Sequence, residues 1–529
     1  MTSEPDPAAF PGSSAPAAGS ARPRQQLGRR ALSLLLGNWG AAGLNLLAGI
    51  LVARRLGPDA VGALSFTVGL SGVIMAALVP GFAQAHMKRI AEGQDARACL
   101  GTFVAIKLAL FSTVGLAFVA GWRWTTSLFQ TPTLETVFLF MFAGMVASSF
   151  ADVFTTALVA RERAVERGIV LVTARVARFL ATILVLVIVA DVRWVAATYA
   201  LEGVVELMAG VFSVWYALGV VPGLPTRRSI VGYWQYARPL LVIVPLGMIQ
   251  DSVDRVAVTQ WAGLTAAGYY HVARGIWEMF SSILAPSTML LFARLAAIFS
   301  ERTPARDAEA RTLFYSGAEK LLFVTAPAGY AVWVIAGPLL GLVFGPDFVH
   351  AEGAVRIFVV ATLVATVVNP YVQVIYALEV VGRFLPVIVL RFVVYLALLA
   401  TLIPVTRLAG LPTLGLAQEG GALARLFAVA FPAWVYVRWT RELVGLGFYR
   451  ATRGYLGSFV VAVAVFEVAL RTPLPGPVAR LVAAMLGLAT YAVSLVALHP
   501  QSLKTLAYCR SLLSPVNFWH FFRREVGRS

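Results

Sequence analysis

The sequence is poor in charge. Only 13% of its 529 residues are Asp, Glu, Lys or Arg, whereas 59% are hydrophobic and the mean hydropathy is +0.79. Soluble domains carry about 25% charged and about 45–50% apolar residues, so this composition excludes an ordinary soluble enzyme or binding domain. Apolar runs near the roughly twenty residues that a helix needs to cross a bilayer recur along the chain. The sequence therefore predicts an all-α, polytopic membrane protein.

Cysteines and catalytic motifs are also scarce. The two cysteines, Cys99 and Cys509, provide neither a disulfide framework nor a metal-ligand cluster. A phosphate-binding glycine loop, a paired-histidine metal motif and a nucleophile elbow are absent from the sequence. The predicted outer loops do not extend much beyond about fifteen residues, too few for a separate catalytic domain. We therefore predict that the protein is not an enzyme, has no catalytic residues, and uses no metal or cofactor.

The apolar runs divide the chain into fourteen predicted transmembrane helices. They lie near 31–53, 61–86, 98–122, 134–158, 169–190, 194–219, 237–262, 264–292, 313–337, 352–378, 384–404, 413–437, 455–471 and 476–498. The first thirty residues are rich in Pro, Ala, Gly and Ser and predict a disordered tail. The predicted organisation is a tail (1–30), an N-lobe (31–219), a C-lobe (220–440), a terminal helix pair (441–498) and a second, interfacial tail (499–529).

The distribution of Lys and Arg predicts the orientation. With the N-terminus inside, 27 of these residues fall in inner loops and tails and 6 in outer loops, the pair Arg54 and Arg55 being the local exception. Because basic residues are retained in cytoplasmic loops, both termini are predicted to be cytoplasmic. The same bias accounts for the net charge of +17 without a nucleic-acid partner.

A short motif occurs twice. The stretch 52–70, VARRLGPDAVGALSFTVGL, matches 258–276, VTQWAGLTAAGYYHVARGI, at five of nineteen positions. Both copies join an odd span to the next even one on the outer face. A displacement of six spans preserves orientation, which predicts two six-helix lobes related as parallel repeats. We expect Gly57 and Gly263 to end one helix, and Gly62 and Gly268 to let the returning helix start close beside it.

Four segments together resemble the polysaccharide or oligosaccharide flippases (Wzx-type) of the MOP exporter superfamily, over roughly residues 31 to 440. They read ILVARRLGPDAVGALSFTVGL, DRVAVTQWAGLTAAGYYHVARGI, GLVFGPDFVHAEGAVRIFVVATL and LEVVGRF. The resemblance implies two lobes around a central cavity that opens alternately to each face of a bacterial inner membrane. The implied substrate is a lipid-linked oligosaccharide diphosphate, with membrane lipid and polysaccharide polymerase or export machinery as further partners. Ion coupling is implied by the same kinship.

Charges inside the predicted spans mark the candidate site. Apart from the two residues at each end of a span, ten cations and nine carboxylates lie there, and each would cost about 2.5–3.5 kcal/mol at the bilayer centre if it faced lipid. Helix depth places Arg178 and Glu206 at a similar level, which predicts a structural ion pair. Asn38 and Asn45 share a face of the first helix, where they line the cavity or bond to a neighbouring helix.

The second lobe carries most of the predicted substrate contacts. Arg274 and Arg425 approach the midplane, and His271 and Glu278 share a helical stripe with Arg274. Arginine suits bidentate phosphate contacts, although Arg274 and Glu278 could instead pair along their own helix.

The seventh and eleventh helices add further candidates. Asp251 and Arg255 are one turn apart and could pair, which would leave Asp254 over for a coupling proton or sodium ion. Arg391 lies where a substrate enters from the cytoplasm. The full sets are Arg274, Arg425, Arg255, Arg391, His271, Asn38 and Asn45 for substrate, and Asp254, Asp251, Glu278 and Glu206 for ion coupling.

Two other functions compete with the flippase. A multidrug or toxin extruder of the same superfamily would favour an aromatic, acidic pocket over one rich in arginine. A membrane enzyme, such as a polysaccharide polymerase or ligase, would usually carry a sizeable outer loop with catalytic residues.

Overall fold

A computed structural model describes residues 21–78, 81–120, 129, 131–238, 240–282, 284–299, 303–378, 380, 385–404, 414–449, 451–472, 476–500, 502–503 and 506. The second predicted tail and residues 1–20 of the first fall largely outside these residues. Residues 21–30, predicted to be disordered, instead form the start of the first helix. Within the described ranges the secondary structure is helical, with no strand. The helices are α1 (Ala21–Leu78), α2 (Phe82–Ala91), α3 (Ala96–Ala120), α4 (Pro132–Ala160), α5 (Ala164–Ile188), α6 (Val192–Leu218), α7 (Arg227–Ala237), α8 (Leu240–Gln250), α9 (Val253–Ser282), α10 (Leu284–Phe299), α11 (Pro304–Val343), α12 (Glu352–Ala377), α13 (Leu385–Leu402), α14 (Ala417–Ala430), α15 (Ala433–Val444), α16 (Ala451–Ala469) and α17 (Gly476–Leu498).

The all-α, polytopic architecture is confirmed. By length and composition, eleven described helical segments could cross a membrane. One of them, Gly40–Leu78, contains a non-helical residue at Gly57 and covers the first two predicted spans. The seventh and eighth spans are not among the eleven, because α8 is only 11 residues long and no stretch of 18 residues in α9 is apolar enough. Dividing the first segment and adding these two spans gives the fourteen predicted from the sequence.

The two glycine motifs form matching kinks. Gly57 has φ 76° inside α1, and Gly263 has φ 89° inside α9, so each interrupts the helix between two predicted spans. Positive φ at both positions requires a residue without Cβ. The sequence-based role of these two glycines, ending one helix and allowing the return of the next, therefore matches the observed backbone.

The other pair of glycines packs differently from the prediction. A Cβ on Gly62 would overlap the carbonyl of Leu264, and a Cβ on Gly268 would overlap the carbonyl of Pro58. Each copy of the motif therefore packs against the other copy, and not against its own neighbouring helix as expected. The contact is reciprocal, as in an isologous interface, and it joins the two repeats at the face predicted to be outer.

Arg54, the exception to the charge bias, also joins the two repeats. Its Nε donates to the carbonyl of Val343 at 2.7 Å, and its Nη2 donates to that of Leu342. Both carbonyls belong to the last turn of α11, where the helix dipole favours a cation. Arg54 thus has a structural reason to lie on the face that is predicted to be outer.

The terminal helices α16 and α17 pack on α11. Tyr330 donates to the carbonyl of Ala484 at 3.1 Å, and Trp333 Nε1 donates to Glu467 at 2.9 Å. Apolar side chains from the three helices form one buried cluster. The pair is therefore anchored to the second half of the chain. The domain boundaries derived from the sequence remain predictions.

Candidate functional site

The seventh span is interrupted. Helix α8 ends at Gln250, Asp251 and Ser252 form a turn, and α9 begins at Val253. Gly72 of α1 lies against the Ser252 side chain and leaves no room for a Cβ. An interrupted helix exposes carbonyl groups at the end of one half and N–H groups at the start of the other. In transporters such breaks hold ions and polar ligands at membrane depth.

Two arginines bind the carbonyl groups at the break. Arg274, on the second half of α9, donates from Nη2 to the carbonyl of Asp251 at 2.8 Å. Arg425, on α14, donates from Nη2 to the carbonyl of Gln250 at 3.0 Å. The negative end of the α8 dipole is thus covered by two cations. Both predicted substrate arginines therefore also have a structural function.

Asp254, in the first turn of α9, accepts hydrogen bonds from both of these arginines and from two tyrosines. It is fully buried and accepts from Arg274 Nη1 at 2.6 Å and from Arg425 Nη2 at 2.9 Å. The hydroxyls of Tyr270 and Tyr395 donate to it at 2.8 and 2.9 Å. The expectation that Asp254 is left over is therefore wrong, because arginines from the eighth and twelfth spans reach it.

The other two carboxylates at this site lie at its rim. Glu278 accepts from Arg274 Nε at 2.9 Å and from Arg255 Nη2 at 3.2 Å, and its side chain is 51% exposed. Asp251 accepts from Arg425 Nη1 at 2.9 Å and is 68% exposed. The suggested pairing of Asp251 with Arg255 is therefore wrong, whereas pairing of Arg274 with Glu278 along their own helix is observed. Because exposed carboxylates at membrane depth are costly against lipid, we infer that this rim faces water.

Aromatic rings lie beside the guanidinium groups of these two arginines. The guanidinium carbons of Arg274 and Arg425 lie 5.9 and 5.6 Å from the centre of the Trp277 ring, within cation–π range. Tyr395 adds a second ring, 5.3 Å from Arg425. These rings hold the guanidinium planes in place beneath the exposed carboxylates.

Several buried donors near the break have no acceptor among the described residues. They are the Nδ1 of His271, the indole Nε1 of Trp277 and the Nε atoms of Arg255, Arg391 and Arg425. Arg391 donates from Nη2 to the Gln250 side chain at 2.7 Å, and no described carboxylate pairs with it. A buried donor without an acceptor costs about 1–3 kcal/mol, so an anionic or oxygen-rich ligand would be stabilised here.

A separate cluster occupies the first half of the chain. Arg178 and Arg175 both bind Glu202, the former at 2.8 Å, and Arg178 also donates to Asn45. Glu206 instead accepts from Ser148 at 2.8 Å. The predicted Arg178–Glu206 pair is therefore wrong by one helical turn. The side chain of Asn38 lies outside the described residues.

Sequence reasoning missed four members of the site: Gln250, Tyr270, Trp277 and Tyr395. A signal existed for Tyr270, which stands four residues before Arg274 in the repeated motif. Tyr395 comes from another span, and no local spacing relates it to Asp254, whereas Gln250 lies four residues before Asp254 in the same span.

Solved structures with a similar fold are transporters. The lipid II flippase MurJ in an inward closed conformation aligns at a TM-score of 0.69 and 10% identity, covering 89% of this chain and 99% of that one. An inward-facing multidrug resistance MATE transporter of the MOP superfamily aligns at 0.59 and 16% identity, covering 76% and 94%. A MOP superfamily transporter from Pyrococcus furiosus aligns at 0.52 and 16%, covering 80% and 96%. At these identities the likeness concerns the fold alone. No curated protein matches the sequence.

The chain thus shares its fold with solved transporters of the MOP superfamily. A family model described as polysaccharide biosynthesis protein matches residues 51–352, more than half of the chain. The chain belongs to this family of polysaccharide biosynthesis proteins. The matched residues include both glycine motifs and the break, which supports the resemblance drawn from the sequence.

Proposed function

We propose that the protein moves a polyprenyl-diphosphate-linked oligosaccharide from the cytoplasmic to the periplasmic leaflet of a bacterial inner membrane. The observation that carries the proposal is the pair of arginines at the break of the seventh span, set beneath two exposed carboxylates. A diphosphate offers oxygen atoms in the geometry that guanidinium groups bind best. Alternating access of the two lobes would carry the bound head group across.

The rim carboxylates suggest how binding and ion coupling are linked. Arg425 is held by Asp251 and Arg274 by Glu278. A diphosphate that takes these guanidinium groups releases the two carboxylates, which then attract a proton or a sodium ion from the water at the rim. Substrate and cation would thus favour each other's binding. Asp254 stays paired throughout, because it is buried and has four side-chain donors.

Arg391 provides a contact on the cytoplasmic side of the break. It binds only the Gln250 side chain among the described residues, so its charge is available to an entering anion. His271 and Trp277 contribute the uncommitted donors described above. In the first half, Glu206 accepts from Ser148 and has no arginine bond among the described residues, and it remains the candidate there for ion coupling.

The test is transport by the full chain in proteoliposomes. The substrate is a fluorescent polyprenyl-diphosphate oligosaccharide, and its leaflet is read by quenching with a membrane-impermeant reductant. We expect quenching to increase with time for the wild type, and to do so at least about tenfold more slowly for Arg391→Ala. Arg438→Ala is the matched control, because Arg438 is exposed and contacts Glu442 and the Trp434 ring, both on its own helix.

A second substrate separates the competing function. If a cationic dye moves along an imposed proton gradient while the oligosaccharide stays in its original leaflet, the protein is a drug extruder and the proposal is wrong. In cells, deletion of the gene should cause lipid-linked oligosaccharide to accumulate on the cytoplasmic leaflet.

A further inference from the structure

A second polar site lies away from the break, between α2 and α7. A cleft of about 910 Å³ is lined by polar side chains and backbone from both helices and the turn after α2. Its basic residues are Arg89, Arg227 and Arg228. Arg89 donates to the carbonyl of Gly232 at 3.3 Å and has a weak pairing with Glu92 at 3.7 Å. Arg227 and Arg228 are exposed and have no described carboxylate partner.

Arg227 and Arg228 lie at the N-terminal end of α7, where the helix dipole disfavours a positive charge. They occupy its first turn, after the N-cap Thr226, whose hydroxyl accepts from the amide of Ser229. Cations at a helix N-terminus are unfavourable by a few tenths of a kcal/mol to about 1 kcal/mol each. An anion in the cleft would offset this unfavourable electrostatic energy, because it would attract both guanidinium groups and the positive end of the helix.

The same helix presents an apolar surface. Ile230, Val231 and Trp234 are exposed, whereas Tyr233 is buried and donates to the carbonyl of Cys99. A helix with a basic end and an exposed apolar face is typical of the membrane interface. The cleft therefore adjoins both a charged and a lipid-facing surface, on the side that the Lys and Arg distribution predicts to be cytoplasmic.

We propose that this cleft binds the phosphate of an anionic membrane phospholipid, with the acyl chains along the exposed face of α7. The shared chemistry is a phosphate group, and the adjoining apolar surface favours a lipid over a free anion. The site is distinct from the break in the seventh span, so the proposal does not depend on the substrate proposed above.

Native mass spectrometry of the detergent-solubilised full chain tests the proposal. The probes are phosphatidylglycerol, phosphatidylcholine and inorganic phosphate. We expect phosphatidylglycerol to bind in preference to phosphatidylcholine. In the double variant Arg227→Gln/Arg228→Gln, its affinity should fall about fivefold for each arginine removed, because the attraction of one basic residue to an anionic surface is worth about 1 kcal/mol. Both residues are exposed, so the variant should fold normally, which its thermal stability checks.

The control is Arg441→Gln/Arg453→Gln, which makes the same charge change at exposed positions on the same predicted face but outside the cleft. The proposal is overturned if this control lowers phosphatidylglycerol binding equally, if the cleft variant binds like the wild type, or if the two lipids bind alike. Displacement of the lipid by millimolar inorganic phosphate would also overturn it, since the site would then take a free anion.

Discussion

Replacing Asp254 by Asn tests whether its carboxylate stabilises the fold at the break of the seventh span. The carboxylate is fully buried and neutralises Arg274 and Arg425, whose side chains are only about one-twentieth exposed. Removing one partner of such a buried pair typically costs about 3–5 kcal/mol, because the remaining charges are uncompensated. With an unfolding entropy of about 2.1 cal/mol/K per residue, this corresponds to a fall in Tm of roughly 3–5 °C for a chain of this length.

Tryptophan fluorescence during heating in detergent measures the change. The matched variant is Asp251→Asn, which also removes a carboxylate from Arg425. Its side chain is 68% exposed, so the pair is screened and contributes about 0–1 kcal/mol. We expect its Tm to stay within about 1 °C of the wild type by the same conversion, while ion coupling of transport is lost. Equal Tm values for the two variants would refute the assignment of Asp254 as the structural centre of the site.

Three further predictions concern other contacts. Arg391→Ala should reduce oligosaccharide transport at least about tenfold with an unchanged Tm, since one lost charge-assisted bond is worth about 1.5–3 kcal/mol; a lowered Tm with normal transport would contradict this. Gly62→Ala should destabilise the protein by about 1–3 kcal/mol through overpacking. Gly43→Ala should not, because a Cβ at that position meets no neighbour. The denaturation midpoints of the two variants measure the difference. Arg54→Gln should lower the denaturation midpoint, because the hydrogen bonds of Arg54 to the carbonyl groups of Val343 and Leu342 are lost; an unchanged midpoint would show that these bonds do not stabilise the fold.

Hydropathy and glycine placement were sufficient to predict the spans. Every predicted helix has a counterpart because membrane crossing depends on the length and apolarity of single segments, and the positive φ of Gly57 and Gly263 follows from their position between two spans. The packing partner of Gly62 could not be predicted in this way, because it belongs to the other repeat.

Pairing of charges was predicted less well. Depth along a helix is uncertain by about a turn, so Arg178 was assigned to Glu206 when it binds Glu202, four residues earlier. Around Asp254, local spacing considers only residues three or four positions away. Arg425 and Tyr395 approach from the twelfth and eleventh spans, and only the tertiary fold brings them there.

The reciprocal packing of Gly62 on Leu264 and of Gly268 on Pro58 has a mechanical consequence. If the two halves move as rigid bodies, this contact, at the face predicted to be outer, is the point about which they rotate. A rotation of about 20° around it would displace the opposite ends, roughly 30 Å away, by about 10 Å. Small backbone-to-backbone contacts at one face would in this way set the width of the opening at the other.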